Sequence, residues 1–308
     1  MDLNDENLAK VQAGIKTSGH SWKAGKNGLF GLSDHEARMR GGNTLSDEEL
    51  DEREAKAKAN LSHHKPSPYS SIDWRNVEGN NYIDPVRDQG KCCSCVAFGT
   101  LAATAARARI KKVLPVNAAN GDQFSPFSTA QFFYCVAERL GSSCESGWEI
   151  RQALKCLHLM GAYPESCFKY TPGDQACKSS STCEGKETKI SGSSSSHHVM
   201  HMKKHLRTDG PLITSMSLYE DLHTYVDGVY LHSKVGKRIG GHCVAVIGYN
   251  DNIDYMSGGK AAKGAWLIMN SWGEKWGLGG YGWIGYGECG IDSEMWYSKG
   301  FSTIYLSS

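Results

Sequence analysis

The sequence predicts an α+β fold with two lobes. Helical patterns dominate the first half of the chain, whereas short apolar segments typical of β-strands dominate after Pro211. The 35 glycines and 14 tyrosines among 308 residues indicate many turns and strands rather than a helical bundle. Because helices and strands are segregated along the chain, we expect them to occupy different parts of the molecule.

The first 70 residues differ from the rest of the chain. Apolar residues at spacings of five, three and four predict a short helix within the first 15 residues. Ser46-Asp-Glu-Glu49 is a capping box that opens a second helix, which ends near Asn60. This charged helix has almost no apolar face, so we expect it to pack only weakly. The prolines within residues 63–68 predict an exposed, protease-accessible linker and a boundary near Ser70.

The remaining segments predict helices first and strands later. An alanine-rich stretch predicts a buried helix over 94–113, since small side chains allow close packing. Residues 128–140 and 147–160 predict two more helices, and the Gly/Ser-rich residues 191–196 predict a loop. Strands are predicted over 212–218, 229–231, 243–249, 265–270 and 281–285.

The charge balance excludes several classes of function. The chain has 34 Lys and Arg against 33 Asp and Glu, a net charge of +1. Such a balance offers no field for a polyanion, so nucleic acid is not an expected partner. No run approaches eighteen apolar residues, so no membrane-spanning helix is expected.

The eleven cysteines are absent from the first 91 residues and dense after them. Such clustering favours a disulfide framework and hence secretion or an acidic organelle, although several buried free cysteines in a cytosolic protein are the alternative. The odd count leaves at least one thiol as a candidate reactive group. The polar start Met-Asp-Leu-Asn-Asp-Glu has no apolar core, so we expect any secretory signal to have been removed.

The segment Gln89-Gly-Lys-Cys-Cys-Ser-Cys95 lies directly before the alanine-rich helix. A thiol at a helix N-terminus meets unpaired N–H groups that favour an anion, so we expect a lowered pKa and an available thiolate. A thiolate nucleophile needs an imidazole and a group that orients the imidazole. His242 and Asn270, each at the end of a predicted strand, can supply them, because an Asn carbonyl accepts an imidazole N–H.

Three blocks in order, Gln-Gly-x-Cys-x-Ser-Cys, Gly-His-x-Val and Asn-Ser-Trp-Gly, resemble the papain superfamily of cysteine proteases. The resemblance covers roughly residues 71–308. It implies a papain-like fold in which residues 71–190 form a mainly helical lobe and residues 191–308 form a strand-rich, β-barrel-like lobe. The active site is then expected in the cleft between the lobes.

The resemblance also implies a role for each motif residue. Cys95 is the nucleophile, His242 the general acid and base, and Asn270 the residue that orients His242. Gln89 supplies the side-chain donor of the oxyanion hole beside the Cys95 N–H. Trp272 shields the Asn–His hydrogen bond from water, and Trp276 lines the leaving-group side.

Within the superfamily, the chain most resembles cathepsin B-like proenzymes. Trp22-Lys-Ala-Gly-Lys-Asn27 is similar to their propeptide motif Trp-x-Ala-Gly-x-Asn, and Arg40-Gly41 stands where that propeptide has Cys-Gly. The resemblance implies that residues 1–70 form an inhibitory propeptide that runs through the cleft of the peptidase domain, 71–308. An unrelated disordered tail is the alternative.

Two further segments imply substrate-binding residues. Cys289-Gly-Ile-Asp-Ser-Glu294 resembles the segment whose Glu lies at the base of the second-subsite pocket, which receives the side chain two positions before the scissile bond. A carboxylate there would pair with Arg, although an ordinary surface Glu294 is the alternative. Residues 144–148 resemble the strip that binds the substrate backbone, with Gly147 retained and Ser146 in place of the first Gly.

The chain departs from the cathepsin B pattern in three places. The region 171–183, which corresponds to the long occluding loop, is short and has no His, so we expect endopeptidase activity and not removal of C-terminal dipeptides. Cys93 replaces a Gly and is expected to crowd the first-subsite wall or to form a nonstandard bridge. Val96 replaces the Trp after the nucleophile. These changes keep open a catalytically weak or inactive papain-fold binding protein.

The resemblance implies the bridge Cys92–Cys144, and chain order suggests Cys135–Cys177 and Cys167–Cys183. The pairing of Cys93, Cys156, Cys243 and Cys289 is left open. His197, His201 and His205 have helical spacing that could hold zinc, but a solvated amphipathic helix is the preferred interpretation. No cofactor or metal is expected. We expect a monomer whose partners are protein or peptide substrates and its own propeptide.

Overall fold

The computed structural model describes residues 1–64, 69–117, 126–173, 175–178 and 183–304. The architecture is α+β, as predicted, and helices and a large sheet occupy different regions of the chain. The predicted linker 63–68 lies mostly outside the described residues, and so does part of the region 171–183. Among the helices that are described, none is long and apolar enough to cross a membrane.

The N-terminal segment, which we define as residues 1–64, forms three helices, α1 (Asp5–Thr17), α2 (Asp34–Arg38) and α3 (Asp47–Asn60), and a 3₁₀ turn, Leu61–His63. The strand β1 (Lys23–Ala24) pairs with β6 (Tyr225–Asp227). The N-terminal segment is therefore attached to the strand-rich part of the chain by backbone hydrogen bonds.

The charged helix α3 docks on the strand-rich part of the chain through few of its residues. Leu50 and Ala57 are fully buried, and α3 packs against β5 (Leu212–Tyr219) and the 3₁₀ turn Glu288–Gly290. The predicted capping box is present, since Ser46 and Glu49 satisfy each other's backbone N–H groups. Two buried apolar side chains and one half-buried Arg, described below, dock this helix in spite of its charged composition.

Helices dominate residues 71–190. They are α4 (Cys95–Lys112), a π-helix (Gln131–Ala137) that continues as a 3₁₀ turn (Glu138–Leu140), α5 (Ile150–Leu159) and a 3₁₀ turn (Glu165–Cys167). The alanine-rich α4 is buried along most of its length and packs against α5 and against β8 (Arg238–Ser257). This burial explains the composition of α4, because small side chains let the helix approach its neighbours closely.

Besides β5 and β8, the main sheet contains β2 (Ser71–Asp73), β4 (Ser193–Ser196), β7 (Val229–Tyr230), β9 (Lys260–Met269), β10 (Tyr281–Gly285) and β11 (Met295–Ser298). Its strand order is β4-β11-β5-β8-β9-β10-β7, and β2 also pairs with β8. A two-stranded sheet joins β3 (Lys189–Ile190) to β12 (Phe301–Thr303). The helix α6 (Val199–Thr208) precedes β5, and the 3₁₀ turn Glu220–Thr224 follows β5.

The predicted loop over 191–196 is wrong, because Ser193–Ser196 is the edge strand β4 and pairs with β11. The serine composition disfavours a strand, but hydrogen bonds from the neighbouring strand outweigh this propensity. The strands β8 and β9 are also longer than predicted and extend together as a hairpin beyond residue 250.

Three disulfides are present, and they are the pairs stated from the sequence: Cys92–Cys144, Cys135–Cys177 and Cys167–Cys183. The other five cysteines are free and buried: Cys93, Cys95, Cys156, Cys243 and Cys289. Cys93 forms no nonstandard bridge; its sulfur lies 4.0 Å from that of Met39, in the N-terminal segment.

Candidate active site

Cys95 is the first residue of α4 and lies against the sheet strand β8. Its Sγ accepts a hydrogen bond from the backbone N–H of Cys243 at 3.4 Å. The disulfide Cys92–Cys144 holds the preceding loop, and Cys93 N donates to Cys144 O at 2.8 Å. The thiol is fully buried. A covalent bridge and a helix end therefore fix the position of the thiol.

His242 and Asn270 lie on neighbouring strands and are in contact. His242 belongs to β8, and Asn270 directly follows β9; the distance from His242 Nε2 to Asn270 Oδ1 is 2.8 Å. This oxygen also accepts the Ser271 backbone N–H at 2.8 Å. Because an amide oxygen only accepts, Nε2 of His242 carries the ring proton. Nδ1 is then a free base, and it has no hydrogen-bond partner within the described parts of the chain.

Trp272 packs against this pair. Its ring is stacked on His242, with centroids 4.7 Å apart, and Trp276 packs edge-on against Trp272 at 5.2 Å. His223 is also stacked on Trp272, with the ring centroids 4.9 Å apart. All of these rings are buried, so water is excluded from the Asn270–His242 hydrogen bond.

The side-chain amide of Gln89 points into the same cleft. Its Nε2 donates to Cys92 O at 2.8 Å and to Gly41 O at 3.3 Å, and its Oε1 accepts the Ser271 hydroxyl at 2.6 Å. Because the carbonyl oxygens of Cys92 and Gly41 can only accept, the Gln89 NH₂ group faces them and the amide oxygen faces Ser271. The carbonyl oxygen of Gly41, which belongs to the N-terminal segment, is thus bound by the Gln89 side-chain amide.

Residues 41–44 of the N-terminal segment cross the cleft and form backbone hydrogen bonds on both of its sides. Gly42 O accepts from Trp148 N at 2.8 Å, and Thr44 N donates to Trp148 O at 3.1 Å. On the other side, Gly42 N and Asn43 N both donate to Gly241 O, at 3.2 and 3.1 Å. The segment therefore joins the helical side of the cleft to the residue before His242.

Two glycines make this crossing possible. Gly42 has φ +122°, and a Cβ there would lie 2.3 Å from Cys93 O; Gly147 has φ +77°, and a Cβ there would lie 2.0 Å from Gly42 O. Both positions need the left-handed region and both lack space, so only glycine fits. Ser146, beside Gly147, is exposed and bonds to Ser143 instead of to the segment.

Glu294 lies just before β11, beside a cavity of about 170 Å³. Its Oε2 lies 3.5 Å from Arg53 Nη1, which comes from α3. The Arg53 guanidinium also donates to Ser215 O at 2.8 Å. The other carboxylate oxygen of Glu294, Oε1, lies 3.6 Å from His197 Nε2. The N-terminal segment therefore places an arginine against the carboxylate that the sequence assigned to the second-subsite pocket.

Burial changes the protonation of the central pair. Burial raises the pKa of the Cys95 thiol far above its ordinary value, an effect that outweighs the N–H groups at the helix end. Burial likewise lowers the pKa of His242 to about 4, although Asn270 opposes the shift. The expected lowering of the Cys95 pKa is therefore wrong for this closed structure, which favours a neutral thiol and a neutral imidazole.

The His series does not form a metal site. His197 precedes α6 and faces Glu294, whereas His205 pairs with Asp209 at 2.7 Å. Across the described ranges, no group of three or more His, Cys, Asp or Glu residues could hold a metal ion.

Three contributors to the site were not predicted from the sequence. Ser271 orients Gln89, His223 supports Trp272, and Gly241 O binds the N-terminal segment. Ser271 lies within the Asn-Ser-Trp-Gly block, and this position could have indicated that it belongs to the site. Nothing local in the sequence marks His223.

Known proteins resemble both the sequence and the fold. A model of the papain family cysteine proteases matches residues 68–299. Cathepsin B-like CP3 of Giardia intestinalis is 31% identical, over 73% of this chain and 72% of that protein, and a gut-specific cysteine proteinase of Caenorhabditis elegans is 28% identical, over 73% and 70%. The chain belongs to the papain family of cysteine proteases. Its relatives place it among the cathepsin B-like members.

Solved structures of proenzymes share the fold over nearly the whole chain. Procathepsin B S9 from Trypanosoma congolense superposes with a TM-score of 0.72 at 20% identity, covering 97% of this chain and 98% of that one. Procathepsin L2 of the Tenebrio molitor larval midgut gives 0.69 at 24% identity, over 98% and 89%. The likeness extends to the N-terminal segment, because the aligned region includes almost all residues.

Proposed function

We propose that the chain is the zymogen of a cathepsin B-like cysteine endopeptidase, with residues 1–70 as its inhibitory propeptide and 71–308 as its peptidase domain. The observation that carries this proposal is the hydrogen bond from His242 Nε2 to Asn270 Oδ1, which leaves His242 Nδ1 as a free base. The next residue of the strand, Cys243, donates its backbone N–H to Cys95 Sγ. A thiol nucleophile requires such a base, although in this structure Nδ1 forms no hydrogen bond to Cys95 Sγ.

In the open enzyme, the Cys95 proton moves to His242 Nδ1. The thiolate then attacks the substrate carbonyl carbon, and Gln89 and the Cys95 N–H stabilise the oxyanion. His242 gives its proton to the leaving amine as the C–N bond breaks, which leaves a thioester on Cys95. Water then attacks the thioester while His242 takes its proton, and the acid product leaves with Cys95 again a thiolate.

Self-inhibition follows from the same contacts. Gly41 O accepts from the Gln89 side chain, and residues 42–44 take the backbone donors and acceptors on both sides of the cleft. A substrate cannot use these groups while the segment is in place. The raised pKa of Cys95 keeps the thiol protonated as long as the cleft is covered. Removal of the propeptide near residues 60–71 therefore activates the enzyme.

The second-subsite pocket is proposed to accept arginine at Glu294, with Gly147 and Ser146 beside the substrate backbone. Support comes from Arg53, whose guanidinium already contacts both the Glu294 carboxylate and Ser215 O. Glu294→Ala should lower kcat/KM for Arg-Arg substrates at least about tenfold more than for Phe-Arg substrates, since a charged hydrogen-bonding partner is lost. Equal losses would contradict the pocket assignment.

An extracellular or lysosome- or vacuole-like location is proposed for the protein. Three disulfides support it, because such bridges persist in oxidising compartments. The proposed partners are protein or peptide substrates and the propeptide, with the enzyme acting as a monomer without nucleic acid or membrane.

The proposal is tested by acid treatment of the full chain, labelling with a thiol-directed epoxide and peptide mapping. We expect the label on Cys95 together with hydrolysis of an internally quenched peptide blocked at both ends, which only an endopeptidase cleaves. The matched Cys95→Ser variant should show neither. Activity without any label on Cys95 would contradict the nucleophile assignment, and a folded chain with neither label nor hydrolysis would favour a binding protein.

A further inference from the structure

Arg40 of the N-terminal segment forms an ion pair with the rest of the chain. One nitrogen of its guanidinium group, Nη1, contacts Asp88 Oδ1. The side chain of Arg40 is almost fully buried, whereas that of Asp88 remains half exposed. Asp88 directly precedes Gln89, which is proposed to stabilise the oxyanion. A charged contact therefore lies beside the reaction centre, although neither of its members takes part in the proposed chemistry.

The backbone of Arg40 shows which side of the cleft this ion pair occupies. Arg40 O accepts the indole N–H of Trp272 at 2.9 Å. Trp276, the residue expected on the leaving-group side, packs edge-on against Trp272 at 5.2 Å. Residues 42–44, by contrast, bond to Trp148, next to the residues that are proposed to bind the substrate backbone. Arg40 therefore lies on the side that receives the substrate residues after the scissile bond.

The carboxylate of Asp88 is held by groups of the proposed peptidase domain. Gly90 N donates to Asp88 Oδ1 at 2.8 Å. Asp88 also forms a backbone bridge with Trp272, and a Cβ at Gly273 would lie 3.2 Å from Asp88 Oδ2. Both oxygens are thus in contact with backbone that does not belong to the N-terminal segment. We therefore expect the carboxylate to keep its position when that segment is removed.

Arg40 is the cation paired with Asp88 within the described parts of the chain. Arg87, the preceding residue, pairs with Glu165 at 3.0 Å. Lys91 is exposed and pairs with Glu36 of the N-terminal segment. When the propeptide leaves, Asp88 loses its cation, and a half-exposed carboxylate then faces the leaving-group side of the cleft.

We propose that Asp88 is a specificity-determining residue that favours Arg or Lys in one of the first two positions after the scissile bond. This inference rests on the proposed function. Arg40 shows that a guanidinium carried by a chain in the cleft reaches this carboxylate. A substrate cation takes its place in the activated enzyme, and an acidic side chain is repelled. The preference acts only until the C–N bond breaks, because the residues after that bond leave with the amine.

The test uses internally quenched peptides, blocked at both ends, that differ only in the first or the second residue after the scissile bond. This residue is Arg, Gln or Glu, and kcat/KM is measured on the full chain after activation, with the cleaved bond identified by mass spectrometry. We expect kcat/KM for Arg to exceed that for Gln about two- to fivefold at one of the two positions, the range for a partly exposed ion pair. Glu should be slower than Gln, and 1 M salt should reduce both differences.

Two variants and one further substrate decide the origin of the preference. Asp88→Asn keeps an acceptor for the Gly90 N–H but removes the charge, so it should make kcat/KM for Arg and Gln nearly equal. The control Glu274→Gln removes an exposed carboxylate that follows Trp272 closely in the chain, and it should keep the wild-type preference. A substrate whose leaving group is a fluorogenic amine without amino acids should be cleaved equally well by Asp88→Asn and by the wild type.

Equal rates for Arg and Gln at both positions in the wild type, or an unchanged preference in Asp88→Asn, overturn the role of Asp88. A loss in Asp88→Asn that is as large for the fluorogenic amine as for the Arg peptide would show that Asp88 supports Gln89, and it would likewise overturn a role in substrate choice. Absence of hydrolysis of every substrate by the wild type overturns the proposed function itself and with it this inference.

Discussion

At the scale of single residues, hydrogen bonds to oxygens that can only accept determine the chemistry of the site. Asn270 Oδ1 fixes the proton of His242 on Nε2, and Cys92 O fixes the NH₂ end of the Gln89 amide. Neither of these two oxygens belongs to the N-terminal segment. We therefore expect both orientations to persist when that segment is removed.

Gln89→Ala tests the oxyanion role at this scale. We expect kcat to fall about 10²–10³-fold with a small change in KM, because the donor acts mainly on charge that develops in the transition state. Epoxide labelling of Cys95 in the same activated variant shows whether the nucleophile remains intact. A loss below about tenfold with normal labelling would argue against Gln89 as an oxyanion donor.

At the scale of elements, α3 shows how a charged helix can dock on a protein surface. Leu50 and Ala57 supply the buried apolar contacts, and Arg53 inserts between them to reach Glu294 and Ser215 O. On the outer surface, Arg238 of β8 binds Asp51 at 2.5 Å. The helix is therefore held by a few deep contacts, and most of its charges stay in water.

Arg53→Ala tests the importance of these contacts for inhibition. We expect the full chain to be activated about tenfold faster at a fixed mild acid pH, since Glu294 loses a half-buried cationic partner when Arg53 is removed. The control is Lys56→Ala, which removes an exposed pair with Glu52 on the same helix. The readout is the rate of Cys95 labelling. Equal rates in both variants would show that Arg53 does not hold the propeptide.

At the scale of the whole molecule, the closed structure holds neutral imidazoles that acid disfavours. Burial lowers the pKa of both His242 and His223 to about 4. An exposed imidazole ordinarily binds its proton near pH 6.5. The open or unfolded chain therefore takes up protons before the closed chain does, and the closed state loses stability as the pH falls from about 6.5 to 4.

The inactive variant Cys95→Ser allows this loss to be measured without self-cleavage. Its Tm should fall between pH 6.5 and 4, with a loss of at most about 3 kcal/mol for each of the two histidines. Lys91 holds the pKa of Glu36 at about 2, so that link to the N-terminal segment weakens only below about pH 4. Adding His223→Gln should make the fall shallower. A constant Tm over this range would show that the buried histidines do not destabilise the closed form in acid.

Short motifs allowed much of the site to be predicted, because Gln89, Cys95, His242 and Asn270 lie in blocks whose residue types carry the chemistry. The helix over 94–113 was predicted nearly to its ends for a similar local reason, its alanine content. The strand Ser193–Ser196 and the docking of α3 were not, because both depend on partners far away in the chain. The same holds for His223, which nothing adjacent to it reveals.

Sequence motifs alone reveal the chemical groups: a thiol at a helix start, an imidazole with an amide to orient it, and a carboxylate near the end of the chain. The state of these groups depends on the tertiary structure. Burial raises the pKa of the Cys95 thiol, and the fold brings Arg53 and His197 to opposite oxygens of Glu294. The physical reason is that solvation and charge pairing depend on which distant residues exclude water from a group, and sequence neighbours do not specify those residues.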